Sequence, residues 1–142
     1  MLKFMMNTLV LFKPDILTRN LVGSVLKTIE ENGFVIKNMK YFQFSKIQCE
    51  LFYQEHVHKG FFQSMQNYLC SLNTIGLILE KEDAINAFRQ LAGATDPKKA
   101  EPNTIRYMYG IDIDHNSVHG TDKQEVLERE IEIIFGFQKN IK

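Results

Sequence analysis

Apolar positions along this chain follow two different periods, and the switches between them lay out its elements. Thr8 to Phe12 is a short apolar run with β-branched character and reads as a strand buried on both faces. Pro14 ends it by removing a ladder donor. Leu21, Val22, Val25, Leu26 and Ile29 then recur at helical spacing, with Gly33 as the C-terminal stop. Phe34 to Phe44, rich in aromatic and aliphatic side chains, predicts a long strand. Ser45-Lys46-Ile47-Gln48 fits a capping box, so a helix starts there and carries Leu51 and Phe52 inward.

His56 to Gly60 breaks that helix, and Phe61, Met65, Tyr68 and Leu69 predict another. Thr74 to Leu79 reads as a buried strand, and Ala84, Ile85, Phe88 and Leu91 as an amphipathic helix. Gly93 to Ser117 has little periodicity. Stretches of that length inside a domain are usually functional or disordered. Ile105, Tyr107, Met108, Tyr109, Ile111 and Ile113 can anchor it, so it reads as ordered and functional. A brief strand at Ser117 to His119 precedes a helix that opens at Asp122-Lys123-Gln124-Glu125. The order βαβ, helices, βα, loop, βα predicts an α+β domain with a four-stranded antiparallel sheet.

The last helix raises the first chemical question. Its apolar stripe is Val126, Leu127, Ile131 and Ile134, and Glu130 falls on the same stripe. A carboxylate facing a core is costly unless hydrogen-bonded, so Glu130 needs a donor. His119, just before the helix, is the candidate. A neutral imidazole nitrogen is a competent nucleophile near pH 7, although a single histidine is more often structural than catalytic.

Composition adds bounds. The chain has 142 residues, and one domain spanning 1–142 is expected. Formal net charge is zero, so no global field favours nucleic acid or an anionic membrane, and any anion site must be local. The arginines are Arg19, Arg89, Arg106 and Arg129, few enough to ask what each does. Cys49 and Cys70 form no CxxC pair and read as reduced thiols of a cytoplasmic chain. The apolar run after Lys3 lacks a small-residue cleavage site and is too short to span a bilayer; a buried first strand is the better account.

Separated signals then converge. Lys13-Pro14-Asp15, Tyr53, Phe61-Phe62, Arg89, Thr95-Asp96-Pro97, Thr104-Ile105-Arg106, Asn116-Ser117-Val118-His119-Gly120-Thr121-Asp122 and Glu130 follow in that order. In order and spacing the chain resembles the nucleoside diphosphate kinase family from about Thr8 to Phe135. The KPD and NxxHG(S/T)D motifs are specific together and weak alone.

The resemblance implies a ferredoxin-like βαββαβ fold and ping-pong transfer of a γ-phosphoryl group between nucleotides of any base. By motif match His119 is the nucleophile, and Glu130 orients its other ring nitrogen. Lys13, Tyr53, Arg89, Thr95, Arg106 and Asn116 match binders of phosphate or sugar, and Lys13 also serves the chemistry. Phe61 matches the aromatic that stacks on the base, with Ile113 on its other side. Mg2+ is expected to travel on the nucleotide phosphates rather than in a protein metal site, and a homo-oligomer, hexamer or tetramer, is expected.

Departures from the family pattern sit mostly in loops. Leu72-Asn73 stands for Gly-Pro, Tyr107-Met108-Tyr109 for Gly-Asp-Phe, and Lys81 for glycine. Asn103 also replaces a glycine, which asparagine can partly mimic by tolerating positive φ, and Thr121 for serine keeps the hydroxyl. Two other readings compete. A non-catalytic or weakly active nucleotide-binding regulatory module of the same fold is the runner-up. A metal site at His115-x3-His119 or His56-x-His58 lacks the further ligands it needs.

Overall fold

The computed structural model describes residues 4–136. Four strands form one sheet in the order β2-β3-β1-β4: β1 (Met5–Phe12), β2 (Val35–Phe42), β3 (Thr74–Glu82) and β4 (Val118–Gly120). Every pairing is antiparallel. The expected α+β architecture, ferredoxin-like with its four-stranded sheet, is what the chain adopts.

β1 is one of the two internal strands, beside β3, and its side chains from Leu9 to Phe12 are apolar on both faces. Leu9 and Leu11 enter a core beneath α3 (Lys46–Phe52), α4 (Phe62–Ser71) and α7 (Gln124–Phe135). Val10 and Phe12 enter the opposite core, beneath α2 (Val22–Glu31) and α5 (Ala84–Ala92). Its end is pinned to β4, where Leu11 lies opposite His119 and Phe12 opposite Val118. β1 therefore sets the height of the histidine.

Capping explains several boundaries. Ser45 accepts from the Gln48 backbone N–H while the Gln48 side chain returns to the Ser45 N–H, the reciprocal box expected from the sequence. Gly33 follows α2 at φ 86°, a left-handed position suited to glycine. Asn103 takes φ 71°, the conformation its replacement of glycine calls for.

Some local expectations are corrected. Pro14 does not merely stop β1: it opens the short α1 (Pro14–Thr18), because proline is preorganised for a first helical position. β2 is shorter than Phe34 to Phe44 and lies at the sheet edge, leaving Val35, Met39 and Tyr41 exposed. Leu51 is exposed although Phe52 is buried. On α4, Phe62, Gln66 and Leu69 are buried and Met65 and Tyr68 pack against the same core, so of the expected residues only Phe61 is exposed.

The long segment after α5 is ordered, holding a 3-10 turn at Pro97–Lys99 and α6 (Ile105–Tyr109). Of its expected anchors Ile105 is fully buried, whereas Tyr107, Met108, Ile111 and Ile113 are exposed. Pro97 and Ala100 supply the missing burial. Among the described residues, no helix is long and apolar enough to cross a membrane.

Candidate active site

The residues expected from the sequence at the site, Lys13, Tyr53, Phe61, Arg89, Thr95, Arg106, Ile113, Asn116, His119 and Glu130, all line one cleft of about 970 Å3. They come from the end of β1, the α3–α4 hairpin, α5, the long loop with α6, and β4 with α7. Packing of distant segments, rather than one local motif, assembles it.

His119 stands on β4 with Nε2 3.1 Å from Glu130 Oε2. Thr121 Oγ1 donates to the other carboxylate oxygen at 2.7 Å, and the Leu9 N–H donates to Thr121 Oγ1 at 3.1 Å. The carboxylate, 3% exposed, is thus held by two side chains, which removes the penalty of placing it on the apolar stripe of α7. Phe52 and Tyr53 present edge contacts to the imidazole, with ring centroids 5.0 and 5.9 Å away. With Nε2 occupied, Nδ1 is the nitrogen free for chemistry. Gly120 permits this placement: a Cβ there would lie 2.7 Å from Phe88 Cδ2.

Cationic groups converge on the same space. Lys13 Nζ donates to Asn116 Oδ1 at 2.8 Å, and Asn116 Nδ2 donates to the Thr95 carbonyl at 3.1 Å. Burial, and then the Arg106 charge, lower the Lys13 pKa to about 8, with Asp15 and Asp114 pulling the other way. Arg106 donates to the Gly93 carbonyl at 2.8 Å and the Val118 carbonyl at 2.9 Å, so it braces the loop against the histidine strand. Burial and neighbouring Arg89 lower its pKa to about 10. This crowding of positive charge is costly without an anion and suited to one.

The opposite wall is aromatic and looser. Phe61 is 47% exposed at the N-terminus of α4, with its ring 5.7 Å from that of His56. Ile113 is also exposed. Tyr53 Oη and His56 Nδ1 are buried without a hydrogen-bond partner. His115, one of the alternative metal ligands, instead pairs with Asp112 at 2.9 Å. Among the described residues, no group of His, Cys, Asp and Glu is arranged to hold a metal ion.

Two site residues have no assigned role in the sequence: Thr121 is there only a retained hydroxyl and Phe52 only an inward residue. Their contacts with Glu130 and His119 were legible in principle, since both flank site residues in the chain.

An oriented histidine beside clustered cations, on a ferredoxin-like sheet, defines an anion-handling α+β domain. Comparison gives it a family. The family model for nucleoside diphosphate kinase matches residues 6–139. The nucleoside diphosphate kinase of Haemophilus ducreyi is 42% identical over 128 residues, 90% of this chain and 93% of that one. That of Thermobifida fusca is 43% identical over 131 residues, 92% of this chain and 97% of its own. Among solved structures, the Aquifex aeolicus nucleoside diphosphate kinase superposes with TM-score 0.89 at 34% identity, covering 93% of this chain and 96% of that one. A halophilic nucleoside diphosphate kinase from Halobacterium salinarum, in complex with CDP, gives TM-score 0.88 at 34% identity over 93% and 88%. The chain belongs to the nucleoside diphosphate kinase family.

Proposed function

We propose that this chain is a nucleoside diphosphate kinase that carries the γ-phosphoryl group on His119 between a nucleoside triphosphate and a nucleoside diphosphate. The observation that carries the reading is the His119–Glu130 pair, set beside Lys13, Arg89 and Arg106 in one cleft.

Glu130 holds Nε2–H, so Nδ1 presents its lone pair to the γ-phosphorus. The N–P bond forms as the bond to the bridging oxygen breaks, and the nucleoside diphosphate leaves. Glu130 balances the positive charge that the ring acquires. In the return half, a β-phosphate oxygen of a second nucleoside diphosphate attacks and the N–P bond breaks. Phosphoryl transfer asks the protein mainly for alignment and for positive charge on the equatorial oxygens. Lys13, Arg89 and Arg106 supply that charge, Asn116, Thr95 and Tyr53 contact phosphate or sugar, and Phe61 and Ile113 sandwich the base. Contact through a base's flat face tolerates any base, so broad specificity follows.

Mg2+ belongs to the substrate in this reading, arriving on the nucleotide phosphates. The chain acts as one domain in a cytoplasmic homo-oligomer, hexamer or tetramer; the exposed Val35, Met39 and Tyr41 on edge strand β2 support self-association. Incubation with γ-labelled ATP and magnesium tests the activity. An acid-labile, alkali-stable label that is chased off by GDP is expected. A folded protein that takes no label contradicts the reading and returns it to a nucleotide-binding module.

A further inference from the structure

The mechanism leaves one buried carboxylate unexplained. Asp15, third in Lys13-Pro14-Asp15, is 5% exposed, a depth at which a charge demands partners. Ser117 Oγ donates to its Oδ2 at 3.1 Å, Tyr68 Oη to its Oδ1 at 3.2 Å, and Arg19 Nη2 to its Oδ2 at 3.0 Å. The Asp15 backbone N–H donates in turn to Tyr68 Oη at 2.9 Å, and Arg19 also donates to the Tyr109 carbonyl. One side chain therefore joins the turn before His119, helix α4 behind Phe61, and the end of α6 behind Arg106. Neither Asp15 nor Ser117 is part of the cleft wall.

Ser117 is the informative partner. Its φ is 76°, a region that side-chain-bearing residues occupy only when their surroundings enforce it. In that conformation its carbonyl accepts the Lys13 N–H at 2.9 Å, while neighbouring Asn116 accepts Lys13 Nζ at 2.8 Å. The bend at residues 116–117 and the Lys13 side chain are thus held as one unit, with Asp15 beneath them.

We propose that Asp15 is a positioning residue of the phosphate site: through the Ser117 hydroxyl and the Tyr68 phenol it enforces the bend that sets Lys13 and Asn116 against the nucleotide, and couples that bend to α4. The proposal rests on the kinase reading for its substrate. The charged groups acting on Lys13 are Arg106 from α6, Asp114 from the loop before β4 and Asp15 from its own helix, with Arg89 and His119 elsewhere on the wall. Loss of the Asp15 charge leaves Lys13 facing Arg106 with one carboxylate fewer, so it sheds its proton at lower pH.

The test compares Asp15→Asn, Ser117→Ala, their double variant and Tyr68→Phe with the wild type, by kcat and KM for transfer across pH and by thermal melting. A folded Asp15→Asn should lose roughly ten- to a hundredfold in kcat/KM, the range for misplacing a reacting group without touching it. Its alkaline limb should move to lower pH, which a merely structural role would not produce. Ser117→Ala should lose less, and the double variant should be no worse than Asp15→Asn, because the Ser117 hydroxyl acts through the Asp15 carboxylate. Wild-type kcat/KM and pH limb in Asp15→Asn, or multiplying losses in the double variant, overturn the proposal. Should Asp15→Asn not fold, Ser117→Ala and Tyr68→Phe decide it: raised KM for MgATP supports it, and unchanged KM in both overturns it. A wild type that transfers no phosphate removes the kinase reading instead, and the affinity of the same variants for ADP across pH then decides the positioning claim.

Discussion

The cleft has two unlike walls. On one, formed by β1, β4 and α7, the polar side chains are tied down: His119 to Glu130, Glu130 to Thr121, Thr121 to β1, and Lys13 to Asn116. On the other, formed by the α3–α4 hairpin, Phe61 is half exposed, and Tyr53 Oη and His56 Nδ1 have no partner. The difference separates two tasks. Moving a phosphoryl group needs fixed dipoles and fixed distances, because reorganisation during the step adds to the barrier. Accepting different bases needs a flat apolar surface and few directional contacts.

The sharpest way to break this comparison is on the tied wall. His119→Ala should cut transfer by about 10^4-fold or more, as loss of a nucleophile does elsewhere, while ADP binding persists. Binding by calorimetry beside steady-state transfer checks both halves. Loss of folding in that variant would mark the histidine as structural. Arg106→Ala should come next, at about 10^2- to 10^3-fold in kcat, the usual effect of removing one donor to developing charge. It should also lower Tm, since Arg106 bridges the carbonyls of Gly93 and Val118.

Glu130→Gln keeps a hydrogen-bonding side chain but removes the charge that meets the imidazolium. A hydrogen bond to a charged group contributes about 1.5–3 kcal/mol, so phosphorylation should slow roughly 10- to 100-fold without stopping. Rapid-quench measurement of phosphoenzyme formation reads it directly, and an unchanged rate would show that the carboxylate does not orient the ring. On the loose wall, Phe61→Ala should raise KM for every nucleotide by about the same factor, roughly tenfold, and leave kcat nearly intact. A loss confined to one base would mean that this wall reads base identity after all.

The smallest effect concerns pH. Lys13 titrates near 8 in the free protein because burial disfavours its charge. Its ammonium is present below that pH and lost above it, so kcat/KM should fall as pH rises past about 8. Bound phosphates favour the charged form, so kcat should hold to higher pH than kcat/KM. Parallel profiles would remove Lys13 from phosphate binding.

The two walls were also unequally legible. One pair on the tied wall could be read from spacing: Glu130 on the apolar stripe of α7 demanded a donor, and the histidine nearby met the demand, whereas Lys13 and Asn116 came from the family resemblance. The capping box at Ser45 was similarly local and similarly readable, while the positive φ at Asn103 was readable only because the family has glycine there. The hairpin was not. The spacing omits Phe62 and Gln66 from the inward face of α4 and puts Leu51 inward beside Phe52, while Met65, Tyr68 and Leu69 do meet the core. Short helices offer too few turns to fix a phase, and a residue beside a cleft can be apolar without being buried. The Asp15 network was illegible for another reason: it joins residues 53 and 102 positions away from Asp15, which no periodicity reveals.

The central claim is that Glu130 occupies Nε2 and so commits the chemistry to Nδ1 of His119. Phosphorylating the protein with MgATP in the absence of diphosphate, then assigning the phosphohistidine by nitrogen and phosphorus NMR, tests it most directly. The account predicts a single Nδ1-phosphohistidine at residue 119, discharged by nucleoside diphosphate. Phosphate on Nε2, or on any other residue, would contradict it.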